Sequence, residues 1–160
     1  IDLFSFMSRL GKSGAFDASK GNVARVWRLR AANHRDQQFG DDHIADGRIN
    51  RNRWVAVNSL VDGTLTDDML RQGTNSGHWM GVIGVYAGTE FELAQDSRVT
   101  LNLEGADSAK VWIDNKVVEN TGAITAELAA GKHSLVLRFD PKSLQKKVKV
   151  SASTGTFLVD

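Results

Sequence analysis

Alternation of apolar and polar residues is the dominant pattern along the chain from about residue 21 onward. NVARVWRLR predicts a β-strand with one side in the core. The residues on that side are Val23, Arg25, Trp27 and Leu29. RWVAVNSL predicts a second strand. The second half of the chain is more regular, with segments of about four to ten residues that are rich in β-branched and aromatic side chains and are divided by Gly, Asp, Asn or Pro.

The alternation also predicts which residues of these later segments point inward. Their neighbours are mostly polar or charged, as expected for antiparallel sheets with one face in water. About ten strands with this spacing predict an all-β fold, an antiparallel two-sheet β-sandwich of the jelly-roll type. The predicted inward residues are Phe91, Leu93, Val99, Leu101, Leu103, Ile124, Ala126, Leu128, Leu135, Leu137, Phe139, Val148, Val150 and Ala152.

The segment before the strands has a helical period instead. Its apolar residues stand at i, i+3, i+4 and i+7, Asp2 is a candidate N-cap and Gly11 a terminator. We therefore predict two parts, an N-terminal helix with its linker at residues 1–20 and a β-sandwich domain at residues 21–160. A helix this short is marginal alone, so its apolar side is expected to pack either on this domain or on a preceding domain of a longer protein, of which it would be the tail. Its apolar residues are Leu3, Phe6, Met7 and Leu10.

Residues 31–52, AANHRDQQFGDDHIADGRINRN, are polar and turn-rich over a length that is unusual for a simple connection. This predicts a functional loop or a flap. An oxygen-rich calcium site with Asp41, Asp42 and Asp46 as ligands is one interpretation, although DDHIADG lacks the alternating acids of an EF-hand. A solvated acidic loop is the other interpretation, and we therefore predict no cofactor, with calcium as the alternative.

The segment VWIDNKVV at residues 111–118 predicts a β-hairpin. Asp114 and Asn115 would form its two-residue turn, because both residue types tolerate positive φ. Trp112 lies between Val111 and Ile113, so it is expected on the face opposite to theirs. Such a tryptophan could stack on a sugar ring, or it could simply pack against the sheet.

Charge and composition exclude several classes of function. Twenty Lys and Arg against nineteen Asp and Glu leave a net charge of +1, which gives no electrostatic basis for binding nucleic acid or an anionic membrane surface. There is no cysteine, so disulfides, thiolate metal sites and cysteine nucleophiles are excluded. No apolar run approaches the roughly twenty residues that span a bilayer.

The sequence also lacks a recognisable catalytic constellation. It has no G-x-S-x-G motif, and its four histidines are too scattered to supply paired metal ligands from one element. His133 follows a turn and is expected to be structural. Aromatic residues are plentiful by comparison, and each is either a sugar-stacking or a core residue: Trp27, Trp54, Trp79, Tyr86 and Trp112.

Residues 88–139 resemble the core of the protective-antigen-like lectin domains and related galactose-binding-like jelly rolls. The shared features are an acidic turn at Asp107, the WIDN stretch at residues 112–115, and L-aGKH ending at His133. In the lectin members two adjacent acids before the hairpin hold a calcium ion that binds sugar. This chain has Ala106 and Asp107 there, so it departs from that pattern.

Residues 3–30, LFSFMSRLGKSGAFDASKGNVARVWRLR, resemble the junction that follows a c-type cytochrome domain in large exported multi-domain proteins of planctomycete-type bacteria. This resemblance implies a periplasmic or extracellular location and a haem domain before residue 1.

Together these features predict a non-catalytic, extracytoplasmic β-sandwich module that binds carbohydrate. The alternative is a structural or docking domain that contacts a neighbouring domain of the same polypeptide and takes no small ligand. Neither hypothesis involves nucleic acid or membrane insertion. The candidate ligand contacts are Asp107, Trp112, Asp114 and Asn115 at the hairpin, with His78 and Trp79 in a preceding loop.

Overall fold

The computed structural model describes residues 22–47, 53–74 and 81–159, which form two antiparallel β-sheets around one core. Three short helices accompany the strands: a 3-10 helix (His34–Phe39), α1 (Asp41–Ala45) and α2 (Asp67–Gly73). The strands are β1 (Val26–Asn33), β2 (Val55–Asn58), β3 (Leu65–Thr66), β4 (Val82–Leu93), β5 (Ser97–Glu104), β6 (Lys110–Ile113), β7 (Lys116–Val118), β8 (Ala123–Leu128), β9 (Gly131–Phe139), β10 (Lys147–Ala152) and β11 (Thr156–Phe157).

The larger sheet has the order β2-β1-β4-β9-β6-β7, and β11 pairs with one end of β4. The smaller sheet has the order β3-β10-β5-β8. Every pair is antiparallel. The prediction of an all-β, two-sheet antiparallel sandwich is therefore confirmed.

The core consists of the inward faces of both sheets, as the alternation predicts. Of the predicted inward residues, all are buried except Ala126 and Leu128, which are half-buried. Both lie on β8, an edge strand that has a neighbour on one side only, so their side chains are less covered. Trp27 is fully buried in this core, which confirms the interpretation of its position.

The first predicted strand is divided between the two sheets. Val23 forms an isolated bridge with Ser151 of the smaller sheet, whereas β1 begins at Val26 in the larger sheet. β1 also continues through Ala31 and Ala32, which were expected in the long loop. Ala31 faces the core between the sheets, whereas Ala32 belongs to the apolar cluster on the outer face. The predicted N-terminal helix and the boundary at residue 20 lie outside the described residues.

The segment after β1 covers part of the outer face of the larger sheet. We call residues 34–46 the cap. The Asn33 side chain accepts a hydrogen bond from the Arg35 N–H at 3.0 Å, and Asp36 accepts one from the Asn33 N–H at 2.8 Å, which together start the 3-10 helix. Gly40 then reverses the chain with a φ of 76° before α1 begins.

A buried ion cluster attaches the cap to the sheet. The Asp36 carboxylate accepts hydrogen bonds from Arg30 Nη2 at 3.2 Å and from Arg53 Nη1 at 3.0 Å, and Arg53 also donates to the Ala31 carbonyl at 3.1 Å. Burial and the charge of Arg53 lower the pKa of Arg30, while Asp36 opposes this. Asp36 therefore places a negative charge between two guanidinium groups and reduces the repulsion between them.

Replacing Asp36 with Asn should destabilise the fold. The change keeps the side-chain size but removes the negative charge between Arg30 and Arg53, and breaking a buried ion pair in this way costs about 3–5 kcal/mol. Urea unfolding followed by far-UV circular dichroism would measure the loss. Glu127→Gln, which removes an exposed acid on β8, is the control and should change the free energy of unfolding by less than about 0.5 kcal/mol. Equal stability of the two variants would contradict the assigned role.

Candidate functional site

Three aromatic rings form a row across the outer face of the larger sheet. Trp54 stands just before β2, Tyr86 is on β4 and Trp112 is on β6. The ring centroids of Trp54 and Tyr86 are 6.3 Å apart with an edge-on geometry, and those of Tyr86 and Trp112 are 6.2 Å apart. This row belongs to a second apolar cluster, separate from the core between the sheets.

Trp112 lies on the outer face, where the alternation places it, but the cap covers it. Its side chain packs with Ile44 and Ala45 of the cap, and only 1% of the residue is exposed. Its indole N–H donates to Asp42 Oδ1 at 2.7 Å, and the Lys110 ammonium lies 5.1 Å from the ring centroid. The ring faces are therefore occupied by the protein's own residues rather than open to a ligand.

Asp114 and Asn115 form the turn of a β-hairpin between β6 and β7. Ile113 pairs with Lys116, which leaves a two-residue turn, and Asp114 and Asn115 have φ values of 51° and 67°. Two consecutive positive φ values define the turn type that suits the twist of a hairpin. The predicted hairpin is confirmed, and Asn115 is exposed at its tip.

The Asp114 side chain joins this hairpin to the start of β9. Its Oδ2 lies 2.6 Å from His133 Nδ1, and its Oδ1 accepts a hydrogen bond from the Ser134 N–H at 3.0 Å. His133 Nε2 is 2.7 Å from the Ala129 carbonyl oxygen. Both ring nitrogens therefore face acceptors, an arrangement that favours the protonated ring, in which both nitrogens donate.

This geometry makes His133 a structural residue, as the sequence predicts. Burial of the ring opposes its protonation, but the hydrogen bond to the Ala129 carbonyl and the bond to Asp114 outweigh that effect and raise the pKa of His133. An Asp–His pair can serve a serine nucleophile only if Nε2 is free to accept its proton. Here Nε2 is bound to a carbonyl oxygen, so the pair does not form a catalytic dyad.

Asp107 is exposed in the turn before β6. The Asn120 amide stabilises this turn by donating to the Ala106 carbonyl at 2.7 Å and to the Ala109 carbonyl at 2.9 Å. The predicted residues Asp107, Asp114 and Asn115 are exposed around the β6–β7 hairpin, whereas Trp112 is buried. His78 and Trp79 lie outside the described residues.

The acids of the cap bind sheet residues. Asp41 accepts a hydrogen bond from the Tyr86 hydroxyl at 3.1 Å and pairs with Lys110 at 3.3 Å and with Arg138 Nε at 3.5 Å. Burial, followed by the charge of Asp41, raises the pKa of Tyr86 to about 12. Asp42 accepts from Trp112, as described above.

Asp46 lies 3.9 Å from His43 Nδ1, at the far end of α1. In residues 22–47, 53–74 and 81–159, no group of three or more His, Cys, Asp or Glu is arranged to hold a metal ion. The Asp41 and Asp42 carboxylates instead bind side chains of the larger sheet.

The other half of the outer face carries an open cleft. We call it the Trp54 cleft; its volume is about 150 Å³. Trp54 is half-buried and forms one wall, while Gly88 of β4 and Val136 of β9 form the floor. The polar rim consists of Arg28, Glu90 and Ser134.

Sequence reasoning named Trp54 only as one of several aromatic residues and missed the cleft around it. The available signal is the alternation itself. Arg28 on β1 and Gly88 and Glu90 on β4 all occupy outward positions, and Arg28 pairs directly with Gly88. A glycine on the outward side of a strand has no side chain, so a hollow can form on the sheet face between the larger side chains around it.

The chain matches no protein-family model, and no curated protein matches it. Among solved structures it is similar to the GH31 alpha-xylosidase from Xanthomonas citri, with 11% sequence identity and a TM-score of 0.38. The likeness covers 88% of this chain and 17% of the xylosidase chain. At this identity and TM-score it carries no functional conclusion.

None of the helices in the described part of the chain is both long and apolar enough to span a membrane.

The raised pKa of His133 predicts a stability contribution that depends on pH. Because the folded-state pKa lies above the unfolded value of about 6.5, the contribution is complete below that value and is lost as the pH rises through the folded-state pKa. Asp114→Asn should keep the turn, since Asn tolerates positive φ, but should lower the pKa of His133. NMR titration of the ring protons and urea unfolding between about pH 5 and 9 would measure both effects.

The matched control for this variant is Asp107→Asn, which removes an exposed acid from the neighbouring turn. It should leave the titration of His133 unchanged. If Asp114→Asn also leaves it unchanged, the ion pair is not what raises the pKa.

Proposed function

We propose that this domain is a non-catalytic carbohydrate-binding module and that the Trp54 cleft is its binding site. The observation that carries the proposal is a half-buried tryptophan that lines an open cleft beside a glycine, with Arg28, Glu90 and Ser134 at the rim. A sugar ring has apolar C–H faces and polar hydroxyl edges, so it fits a site with one aromatic wall and a few polar groups.

The position of the indole suits stacking. Trp54 Cζ3 lies 3.7 Å from the place that a Cβ atom on Gly88 would occupy, so the ring lies over backbone instead of a side chain. The edge-on contact with Tyr86 holds the indole in one orientation. A preorganised ring loses less conformational entropy when a ligand binds, which favours affinity.

The cleft is small, and this limits the ligand. Pockets for drug-sized molecules have volumes of roughly 300–1,000 Å³, whereas the Trp54 cleft measures about 150 Å³. It therefore suits one sugar residue, either the end of a chain or a single unit along its side. Affinity for a monosaccharide is expected to be weak.

The proposal moves the site away from the hairpin favoured by sequence. Trp112 is covered by the cap, and Asp114 is bound to His133 and Ser134. Of the residues predicted at the hairpin, Asp107, Asp114 and Asn115 are exposed, but none of them lines the Trp54 cleft.

The lack of catalysis is supported by the number of acids in the cleft. Glycoside hydrolysis generally uses two carboxylic groups on opposite sides of the scissile bond, and Glu90 is the one acid among the residues that line the cleft. The proposed periplasmic or extracellular location, and a neighbouring haem domain, are supported by the resemblance of residues 3–30 alone.

A docking function is the second candidate, and two observations favour it. Leu60 and Val61 are adjacent, 51% and 69% exposed, in the turn that precedes β3. Trp27, Tyr86 and Trp112 are also all buried, which leaves Trp54 as the one tryptophan in the described part of the chain that is not fully buried. A docking domain would use the turn to contact its neighbour and would leave the cleft empty.

Trp54→Ala should abolish detectable binding of oligosaccharides. Loss of a tryptophan that anchors a ligand costs about 2 kcal/mol or more, roughly thirtyfold in Kd. Trp54→Phe should retain part of the affinity because it keeps an aromatic face. Gly88→Val should also abolish binding, because its methyl groups fill the floor while β-branching suits the strand. Chemical-shift titration of ¹⁵N-labelled protein with gluco-, xylo-, manno- and galacto-oligosaccharides would measure Kd and locate the site.

Val117→Ala is the control, since it removes an exposed apolar side chain from the same sheet, on the far side of Trp112. It should bind as the unmodified protein does. If none of these oligosaccharides shifts resonances around the Trp54 cleft, and the protein does not co-sediment with the corresponding insoluble polysaccharides, the carbohydrate proposal fails and docking is favoured.

A further inference from the structure

Resting on the proposed function, we infer that the Trp54 cleft selects neutral sugars with two adjacent hydroxyl groups, and that Arg28 and Glu90 determine this specificity. The inference concerns the chemistry of the ligand rather than the presence of a site. It follows from the placement of two opposite charges that both line the cleft.

The sheet register places Arg28 and Glu90 diagonally opposite each other on adjacent strands. Arg28 on β1 pairs with Gly88 on β4, and Glu90 is two residues further along β4 on the same face. Such diagonal neighbours have Cα atoms about 7–8 Å apart. The backbone around them is pinned, because the Thr89 hydroxyl donates to the Val26 carbonyl at 3.0 Å and the Leu158 N–H donates to the Glu90 carbonyl at 2.9 Å.

Both charged groups are available to a ligand. Arg28 and Glu90 are exposed, and within the described ranges neither side chain forms a hydrogen bond or an ion pair with the other or with a further residue. This differs from Arg30, Asp36 and Arg53 on the same face, whose charges are paired. The cleft thus holds a guanidinium group that donates and a carboxylate group that accepts, and the two are close together but do not bind each other.

A vicinal diol matches this pair of groups. A hydroxyl both donates and accepts, whereas a guanidinium only donates and a carboxylate only accepts. Two adjacent hydroxyls of a sugar can therefore accept from Arg28 and donate to Glu90 at the same time, while the ring face packs on Trp54. Charge-assisted hydrogen bonds of this kind are stronger than those between neutral groups.

The same pair disfavours charged sugars. Arg28 and Glu90 cancel, so the cleft has no net charge to attract an ionic ligand. A uronic acid would bring its carboxylate close to Glu90, and an amino sugar would bring its ammonium close to Arg28. Each charged sugar is attracted by one of the two residues and repelled by the other. Selectivity for neutral sugars therefore comes from repulsion of charged ones as well as from attraction.

The test compares neutral and charged methyl glycosides by ¹⁵N chemical-shift titration. The neutral probes are the methyl glycosides of glucose, galactose, mannose and xylose; the charged ones are methyl glucuronide and methyl galacturonide; 2-deoxy and 3-deoxy methyl glucosides interrupt the diol. We expect at least one neutral glycoside to bind more tightly than its uronide.

Arg28→Gln and Glu90→Gln should each weaken the binding of the neutral glycoside on the order of tenfold. Glu90→Gln should also reduce the preference for neutral over uronic sugars.

The controls are Glu92→Gln, an exposed acid two residues further along β4 and outside the cleft, and Arg98→Gln, an exposed arginine on β5. Both should leave binding and the melting temperature unchanged. If Arg28→Gln and Glu90→Gln bind as the unmodified protein does while Trp54→Ala does not, the specificity inference is wrong and the binding proposal stands. A tighter uronide in the unmodified protein likewise overturns the inference. If no glycoside or oligosaccharide binds at the cleft, the proposed function itself is wrong.

Discussion

The contact between Asp36 and the two guanidinium groups of Arg30 and Arg53 determines how the outer face of the larger sheet is used. Arg30 is fully buried, and a buried arginine must be matched by a carboxylate to be tolerated. Asp36 supplies that charge from the 3-10 helix, so the cap must lie on the sheet where Arg30 projects. Asp41 and Asp42 then extend the attachment to Tyr86, Lys110 and Trp112.

This attachment divides one row of aromatic rings into a covered and an open part. Tyr86 and Trp112 lie under the cap and act as packing surface, with their polar atoms bonded to Asp41 and Asp42. Trp54 lies beyond the cap, is half-buried and lines the cleft beside Gly88. The covered rings support the open one, since Tyr86 contacts both neighbours. The cap is therefore part of what keeps Trp54 in place, although it does not line the cleft.

Local patterns predicted a large part of the fold because their causes are local. Alternation identified the inward residues of the strands, and Asp114 with Asn115 identified the hairpin turn, since both depend on neighbouring residues only. The division of the first strand between the sheets escaped prediction, because nothing in the alternation shows at which residue a strand crosses from one sheet to the other. The Trp54 cleft escaped for a similar reason: its residues come from separate strands that only the register of β1, β4 and β9 brings together.

The sequence by itself determined that this protein is an all-β sandwich, which residues form its core, where the hairpin turns, and which side of the sheet Trp112 occupies. Only the tertiary structure decided which outward aromatic residues remain open. That choice depends on where the cap lies, and the cap is positioned by the contacts of Asp36 with Arg30 and Arg53. These contacts depend on opposite charges that meet in space, so no periodic pattern along the chain indicates them.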